Sequence, residues 1–107
     1  MYGMLVLFQP SDGLGDTDQL RLKFCERVRL YEEIEGLKLK TWLIDVPGGR
    51  QGGFYIWESQ EAIDAFMRSD QWQSLPAFNR SDPDVTIFEV PCLVNALEGR
   101  AVALTAA

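Results

Sequence analysis

The stretch at residues 52–70 constrains the fold of this chain more than any other segment. It opens with a glycine pair followed by alternating aromatic and β-branched residues, which is typical of a strand. Ser59 then offers an N-cap, and apolar residues follow at the spacing of an amphipathic helix, namely Ala62, Ile63, Phe66 and Met67. The sequence therefore predicts a strand that runs directly into a helix.

Bulk composition limits the class of protein. The 107 residues are enough for one domain, and no stretch approaches the roughly 20 apolar residues of a membrane helix. The N-terminus lacks a basic leader, so we expect no signal peptide. Cys25 and Cys92 have no metal-type spacing, which favours reduced thiols and a cytoplasmic location. A net charge of −6 argues against binding to nucleic acid or to an anionic membrane.

The sequence contains no histidine. This removes the usual general base at neutral pH, the usual haem ligand, and any Ser-His or Cys-His pair. Two cysteines and scattered carboxylates are also a poor basis for a zinc site. We therefore expect no metal and no haem bound through histidine.

The order of predicted elements indicates the fold class. Pro47-Gly48-Gly49 forms a turn that joins two strands in a hairpin. The order β-α-β-β-α-β predicts an α+β, ferredoxin-like fold, in which helices cover one face of an antiparallel sheet. Strands are predicted at 3–9, 37–45, 51–58 and 84–90, a helix from Asp16 or Thr17 to about Glu35, and a short helix capped by Asp70.

Residues 91–107 do not fit the unit formed by residues 1–90. They are too apolar for a disordered tail, and we expect this C-terminal arm to pack on the partner subunit of a homodimer. Docking back on the same subunit is the alternative. The apolar residues of the arm are Leu93, Val94, Leu97, Val102 and Leu104.

The hairpin assigns residues to the two sheet faces if its turn is residues 46–49, because Asp45 then pairs with Arg50. One nearly apolar face, which we expect the helices to cover, consists of Leu39, Thr41, Leu43, Gly52, Phe54 and Ile56. The other face, which we expect to line a cavity between two subunits, consists of Lys38, Lys40, Trp42, Gly53, Tyr55 and Trp57. A turn of three or five residues would reverse the pairing, and a solvated face of lysine–aromatic pairs is the alternative to a cavity.

Several segments resemble the YdhR family of candidate monooxygenases. They are Lys40-Thr41-Trp42, Gly-Gly-Phe-Tyr-Ile-Trp at 52–57, and Ile87-Phe88-Glu89-Val90 followed by Leu93-Val94-Asn95. Residues 57–72 are also similar to the wider antibiotic-biosynthesis and haem-degrading monooxygenases. The resemblance implies a dimeric α+β barrel, in which the sheets of two ferredoxin-like subunits close one barrel.

The same resemblance limits the chemistry. The haem-degrading relatives use a Trp in the second helix, a His one short helix later and an Asn in the first strand. The matching positions here are Phe66, Pro76 and Gln9. The departures imply that this chain does not degrade haem by that arrangement.

The resemblance implies a cofactor-independent monooxygenase that acts on a small aromatic, enolisable substrate. Such a reaction needs a dry pocket, a base, and donors for the developing oxyanions. Lys40 is the favoured base, because burial lowers the pKa of an amine, whereas burial would raise that of Tyr55; Glu89 is an alternative base. Trp42 and Tyr55 are the candidate donors. Candidates for substrate contact are Trp57, Phe66, Trp72, Phe78, Asn79 and Arg80.

Two other functions are compatible with the same fold. One is a cofactor-free isomerase or lyase, which needs the pocket but no oxygen. The other is a non-catalytic dimer that binds a small molecule, for example in a stress response, since a fold alone does not fix the chemistry.

Overall fold

One four-stranded antiparallel sheet carries a layer of short helices in the computed structural model, which describes residues 1–97 and the backbone of 100–103. The sheet order is β2-β3-β1-β4, the order of a ferredoxin-like unit, and the predicted α+β fold is confirmed. None of the described helices is long and apolar enough to cross a membrane. The elements are β1 (Tyr2–Phe8), α1 (Thr17–Glu26), a 3₁₀ helix (Val28–Tyr31), β2 (Leu37–Asp45), β3 (Arg50–Trp57), α2 (Gln60–Met67), α3 (Asp70–Gln73), α4 (Leu75–Asn79), β4 (Asp84–Glu89), β5 (Cys92–Asn95) and β6 (Arg100–Ala103).

The central strand β1 distinguishes the two faces of the sheet. Met4, Val6 and Phe8 are buried, whereas Leu5 and Leu7 remain partly exposed. Since side chains alternate between faces along a strand, one face is covered and the other is open. The covered face packs against residues of the helices, including Ile63 and Phe66 of α2.

The β2–β3 hairpin has the predicted register. Asp45 pairs with Arg50, and Lys40 lies opposite Tyr55. The Asp45 carboxylate accepts hydrogen bonds from the Gly48 N–H at 3.0 Å and from Arg50 Nε at 3.0 Å. These bonds favour the charged form and hold the pKa of Asp45 below its ordinary value. An irregularity between Leu37 and Leu39 takes Lys38 out of the predicted pairing.

The prediction of which face the helices cover is wrong. Tyr55 and Trp57 lie in the core beneath the helices, with Trp42 packed against it, whereas Thr41 is exposed and Phe54 lies on the open face. The helices are short, and large aromatic rings, at about 150–250 Å² each, fill the space beneath them better than small apolar side chains. Lys40 and Trp42 therefore point toward the helices of their own subunit.

The first helix is shorter than predicted. Asp16 caps α1 through its carboxylate, as expected, but the α-helix ends at Glu26 and continues as a 3₁₀ turn instead of reaching Glu35. The change of period turns Tyr31 into the core and leaves Val28 exposed. Gly36, at φ 80°, takes the left-handed conformation expected after the helical region.

The second helical region is capped by serines. Ser59 Oγ accepts from the Ala62 N–H at 3.1 Å, which confirms the predicted start of α2. Ser69, and not Asp70, caps α3, through the Trp72 N–H at 3.2 Å. Pro76 occupies the first turn of α4, where its missing N–H has no intrahelical partner to lose.

The described part of the C-terminal arm is a separate hairpin. Strands β5 and β6 pair with each other in a two-stranded sheet, with Leu93 opposite Val102. Leu97 is 97% exposed. Leu104 lies outside the described residues. The packing of this arm on a partner subunit stays a prediction.

Candidate functional site

Lys40 is the centre of the candidate site, because its amine is enclosed by aromatic rings. Its Nζ lies 3.7 Å from the ring centroid of Tyr55, 4.7 Å from that of Tyr31 and 4.9 Å from that of Trp42. No ion pair of this amine is found among the residues that the structure describes. A Cβ at Gly53 would lie 2.5 Å from Nζ, so the glycine leaves the amine its space.

The environment of Lys40 favours the neutral amine. Burial, and then the positive charge of Arg27, lower the pKa of Lys40 from 10.5 to about 7. A shift of that size corresponds to roughly 5 kcal/mol. Cation-π attraction to the rings favours the charged form by about 0.5–2 kcal/mol, which is smaller. We therefore expect an appreciable neutral fraction at neutral pH, in the direction that the sequence predicted for a buried lysine.

Two tyrosines stand beside this amine. Tyr55 belongs to β3 and Tyr31 to the 3₁₀ helix, and their ring centroids are 6.2 Å apart. Burial, followed by the proximity of Tyr31, raises the pKa of Tyr55 above its ordinary range. The Tyr55 hydroxyl consequently stays protonated and can donate a hydrogen bond.

Arg27 and Phe78 form the other side of the site. Arg27 sits where α1 gives way to the 3₁₀ helix, and its guanidinium carbon lies 4.1 Å above the Phe78 ring. Phe78 stacks on Phe24 of α1, with 6.4 Å between centroids. This packing keeps a cation near Lys40, where it can stabilise negative charge on a bound molecule.

Gln51 and Asn79 form a buried amide pair next to the site. Gln51 Nε2 donates to Asn79 Oδ1 at 2.8 Å, and Asn79 Nδ2 donates to the carbonyl oxygen of Leu75 at 2.9 Å. The carbonyl oxygen of Leu75 can only accept, so the Asn79 amide must direct its Nδ2 toward it. Asn79 Oδ1 then faces Gln51, and this fixes the orientation of the Gln51 amide. Gln51 Oε1 is then a buried acceptor with no hydrogen-bond partner among the described residues.

The side chains enclose a small inner cavity, which shares lining residues with two larger pockets. The inner cavity has a volume of about 20 Å³, room for about one water molecule. An outer pocket of about 230 Å³ shares Tyr31, Lys40 and Trp42 with it, and another of about 320 Å³ shares Phe78. The inner cavity is lined by Val6, Phe8, Phe24, Arg27, Tyr31, Lys40, Trp42, Gly52, Gly53, Tyr55, Leu75, Phe78 and Asn79.

The residues predicted to be catalytic lie together, but beneath the helices of one subunit. Lys40, Trp42 and Tyr55 all line the inner cavity, as do Phe78 and Asn79 from the predicted contact set. The proposed alternative base, Glu89, is exposed at the end of the edge strand β4.

The remaining candidates for substrate contact lie elsewhere. Trp57, Phe66 and Trp72 form an aromatic cluster beside the cavity, with centroids 5.1 Å apart for Trp57–Phe66 and 5.7 Å for Phe66–Trp72. Arg80 pairs with Asp12 at 2.5 Å and lines only the 320 Å³ pocket. The indole Nε1 of Trp57 is buried without a partner among the described residues, but no described pocket is lined by it.

Sequence reasoning missed the contributions of Arg27 and Tyr31. The spacing of Phe24 and Tyr31 is typical of the apolar face of a helix, which indicates packing and not a site. Arg27 lies among nearly balanced charges, which are typical of a solvated helix face. The approach of Arg27 and Tyr31 to Lys40 depends on how the helix crosses the sheet, which no local pattern encodes.

The described residues contain no cluster of three or more metal-ligating side chains. Cys25 and Cys92 are both free thiols.

The sequence matches neither a known family profile nor a curated protein. Similar solved structures do exist. A candidate antibiotic biosynthesis monooxygenase from Deinococcus radiodurans is 15% identical, with a TM-score of 0.65, over 89% of this chain and 97% of that chain. SnoaB from Streptomyces nogalater, a cofactor-independent oxygenase, is 12% identical, with a TM-score of 0.62, over 83% of this chain and 91% of that chain.

A third similar structure is a mutant of MhuD, which holds two manganese protoporphyrin IX molecules per active site. It is 21% identical, with a TM-score of 0.64, over 89% of this chain and 99% of that chain. At these identities the likeness concerns the fold. The chain has the ferredoxin-like fold of the antibiotic biosynthesis monooxygenase structures.

Proposed function

We propose that this protein is a cofactor-independent monooxygenase that oxidises a small aromatic, enolisable substrate. The observation that carries this proposal is the amine of Lys40, whose pKa is lowered to about 7 within a cage of aromatic rings. A general base is most effective when its pKa lies near the working pH. Lys40 meets that condition in a chain without histidine.

In the proposed reaction Lys40 removes a proton from the carbon next to a carbonyl or phenol. The resulting enolate carries its charge on oxygen, where Tyr55 and the indole N–H of Trp42 can donate hydrogen bonds and Arg27 can supply positive charge. The deprotonated substrate is then the electron donor to O₂. The aromatic lining keeps water away from this intermediate.

The stoichiometry needs no external reductant. For a CH₂ group beside an aromatic ketone, one atom of O₂ becomes a new carbonyl oxygen and the carbon loses two hydrogens. The other oxygen atom leaves as water with those two hydrogens. All four electrons come from the substrate, which is consistent with a protein that supplies a base and a pocket.

A substrate ring must reach Lys40 through the larger pockets, because the inner cavity holds about one water. The 230 Å³ pocket has Lys40 and Trp42 in its wall and approaches the size of small-ligand sites, about 300–1,000 Å³. We propose that the ring occupies this pocket, beside Lys40 and Trp42.

The fold supports the proposal without naming a substrate. SnoaB has the same fold and is a cofactor-independent oxygenase. We propose that the chain needs no cofactor and that it is of the YdhR type. MhuD binds a manganese porphyrin on this fold, but histidine ligation of haem is unavailable to a chain without histidine.

Oxygen uptake with a panel of anthrones and quinols tests the proposed reaction. We expect uptake that rises through pH 7 and falls at least about tenfold in Lys40→Met, since loss of a general base costs about 10²–10⁴. Lys23→Met is the control, because Lys23 is exposed on α1 and does not line the 230 Å³ pocket. A ligand that binds without oxygen uptake would favour the isomerase or binding functions. Equal rates in Lys40→Met and wild type would exclude Lys40 as the base.

A hemin titration tests the proposed absence of a haem cofactor. We expect no Soret shift at a stoichiometric ratio of hemin to protein. A saturable shift at one or two equivalents would show a porphyrin site and overturn this part of the proposal.

We further propose that two subunits meet through the open face of the sheet, with the arm at 91–107 packing on the partner. Phe88 is 48% exposed there, and the neighbouring Leu5 and Phe54 are only partly covered. Analytical ultracentrifugation should show a dimer that Phe88→Glu converts to a monomer. A wild-type protein that sediments as a monomer at micromolar concentration would contradict this. A cytoplasmic dimer with reduced thiols is the setting we propose.

A further inference from the structure

Lys40 has the surroundings of a nucleophile as well as those of a base. Its amine contacts ring faces, and no hydrogen bond to Nζ is found among the residues that the structure describes. A lysine that serves structure usually pairs with a carboxylate, as the neighbouring Lys38 does with Glu58 at 3.7 Å. The nitrogen lone pair of Lys40 therefore has no competing partner when the amine is neutral.

The amine is also placed where a small molecule can approach it. Lys40 lines both the inner cavity and the 230 Å³ outer pocket, so it lies at the junction of the two. Gly53 leaves space beside Nζ, because any larger residue there would contact the amine. The other amine in the lining of the outer pocket is Lys38, which is half exposed and paired with Glu58.

We propose that Lys40 forms an imine with small aldehydes or ketones that enter through the outer pocket. The lone pair of Nζ bonds to the carbonyl carbon, and the carbonyl oxygen takes up a proton. The carbinolamine then loses this oxygen as water, and a C=N bond remains. One water is released, and no oxidant or reductant is consumed.

The electrostatics of the pocket support this reaction. Burial and the charge of Arg27 lower the pKa of Lys40 to about 7. A desolvated lysine beside a second cation is a recognised way to activate an amine for Schiff-base chemistry. At pH 7 the neutral fraction of such an amine is roughly a thousandfold larger than that of an amine with an ordinary pKa.

This inference goes beyond the proposed function, since imine formation involves neither oxygen nor proton abstraction from a substrate. Imine formation can be absent while the oxygenase reaction occurs, and the reverse is also possible. A base that never meets a carbonyl carbon would still support oxygen uptake, and a nucleophilic lysine would still react in a protein that consumes no oxygen.

Reductive alkylation with limiting acetaldehyde and cyanoborohydride tests the proposal on the full chain. Peptide mass spectrometry compares Lys40 with Lys23 and Lys38, the two other lysines of the sequence, both exposed. At pH 7 we expect Lys40 to be ethylated at least about tenfold faster, because its larger neutral fraction outweighs its restricted access. Equal or slower modification of Lys40 would overturn the proposal.

Two controls separate reactivity from exposure. The preference for Lys40 should vanish in urea and should shrink as the pH rises toward 10, where exposed amines also become neutral. Arg27, Tyr31 and Tyr55 face Lys40, and Glu32 and Lys38 line the outer pocket, so this pH profile reports on all of these groups. Lys23→Arg, on α1 and outside the lining of the outer pocket, should leave the Lys40 rate unchanged. A preference that persists in urea would show a local sequence effect and contradict the role of the pocket.

Discussion

The two faces of the four-stranded sheet use their apolar side chains in different ways. The covered face concentrates large rings, with Tyr55 1% and Trp57 0% exposed, around a single amine. The open face carries Leu5, Phe54 and Phe88, which are only partly shielded; the Phe54 ring lies over Gly3, where a Cβ would contact it at 2.8 Å. The covered face thus combines the core with the candidate site, and the open face leaves large apolar side chains partly exposed.

This difference shows that a sheet face with both lysine and aromatic residues does not have to face solvent. Lys40 lies beneath the helices because its long apolar stem packs against rings while Nζ reaches a cavity. The helices here are short, and the aromatic face supplies most of the volume between the layers. The sheet face with Lys40 has a composition that looks too polar for a core. It holds the candidate site because the polar end of this buried side chain reaches a cavity.

Removing a ring from the covered face should have the largest effect. Phe66 is 4% exposed and contacts Trp57, Tyr55 and Trp72. We expect Phe66→Ala to lower the free energy of unfolding by about 3–5 kcal/mol, because it leaves a cavity. Urea denaturation measures this change.

The matched variant on the open face is Phe88→Ala. We expect it to change the free energy of unfolding of one subunit by less than about 1 kcal/mol, since the ring is half exposed. Measurements at several protein concentrations separate subunit association from unfolding. Equal losses in the two variants would remove the distinction between the faces.

Lys40→Met should stabilise the protein in a pH-dependent way. The unfolded chain holds a proton on Lys40 up to about pH 10.5, but the folded chain only up to about 7. Wild-type stability therefore rises with pH in this window, by at most about 1.4 kcal/mol per unit, and is penalised fully below pH 7. We expect Lys40→Met to gain about 4 kcal/mol at pH 7 and to lose most of this advantage by pH 9.5.

Lys38→Met provides the control for that comparison. Lys38 is 50% exposed and its pair with Glu58 is on the surface, so its replacement should change stability by less than about 1 kcal/mol. Denaturation curves at pH 6, 7.5 and 9 measure both variants. A pH-independent difference between Lys40→Met and wild type would contradict the neutral amine.

The buried amide pair should have a smaller effect. Asn79→Leu removes the acceptor of Gln51 Nε2 and leaves both polar atoms of the Gln51 amide without partners, which we expect to cost about 1–2 kcal/mol. Gln51→Leu combined with Asn79→Leu should recover part of this loss, as measured by thermal unfolding. A double variant less stable than either single variant would contradict this. Gln73→Leu, which removes an exposed amide, is the control.

The sequence predicted most of the fold because its signals were local. The Ser59 cap and the four-residue turn each act over a few residues, and both predictions agree with the structure. The alternation in β3 likewise placed Tyr55 and Trp57 on one face.

The orientation of that face could not be read in the same way. Whether helices cover Tyr55 or Phe54 depends on the packing of helices that are distant in sequence, and counting apolar residues gave the wrong answer. Arg27 and Tyr31 reach Lys40 because the α-helix ends at Glu26, a change of period that the charged sequence does not signal. The sequence therefore predicted the site residues on strands β2 and β3 but not Arg27 and Tyr31 from the helical region.

The protonation of Lys40 can be measured directly by an NMR titration of protein labelled at lysine ¹³Cε and ¹⁵Nζ. The chain has only Lys23, Lys38 and Lys40, and Lys40→Arg assigns the signals. We expect the Lys40 signal to titrate near pH 7, well apart from the other two. A Lys40 signal that keeps its charge up to about pH 10, together with the exposed lysines, would contradict both its role as base and its role as nucleophile.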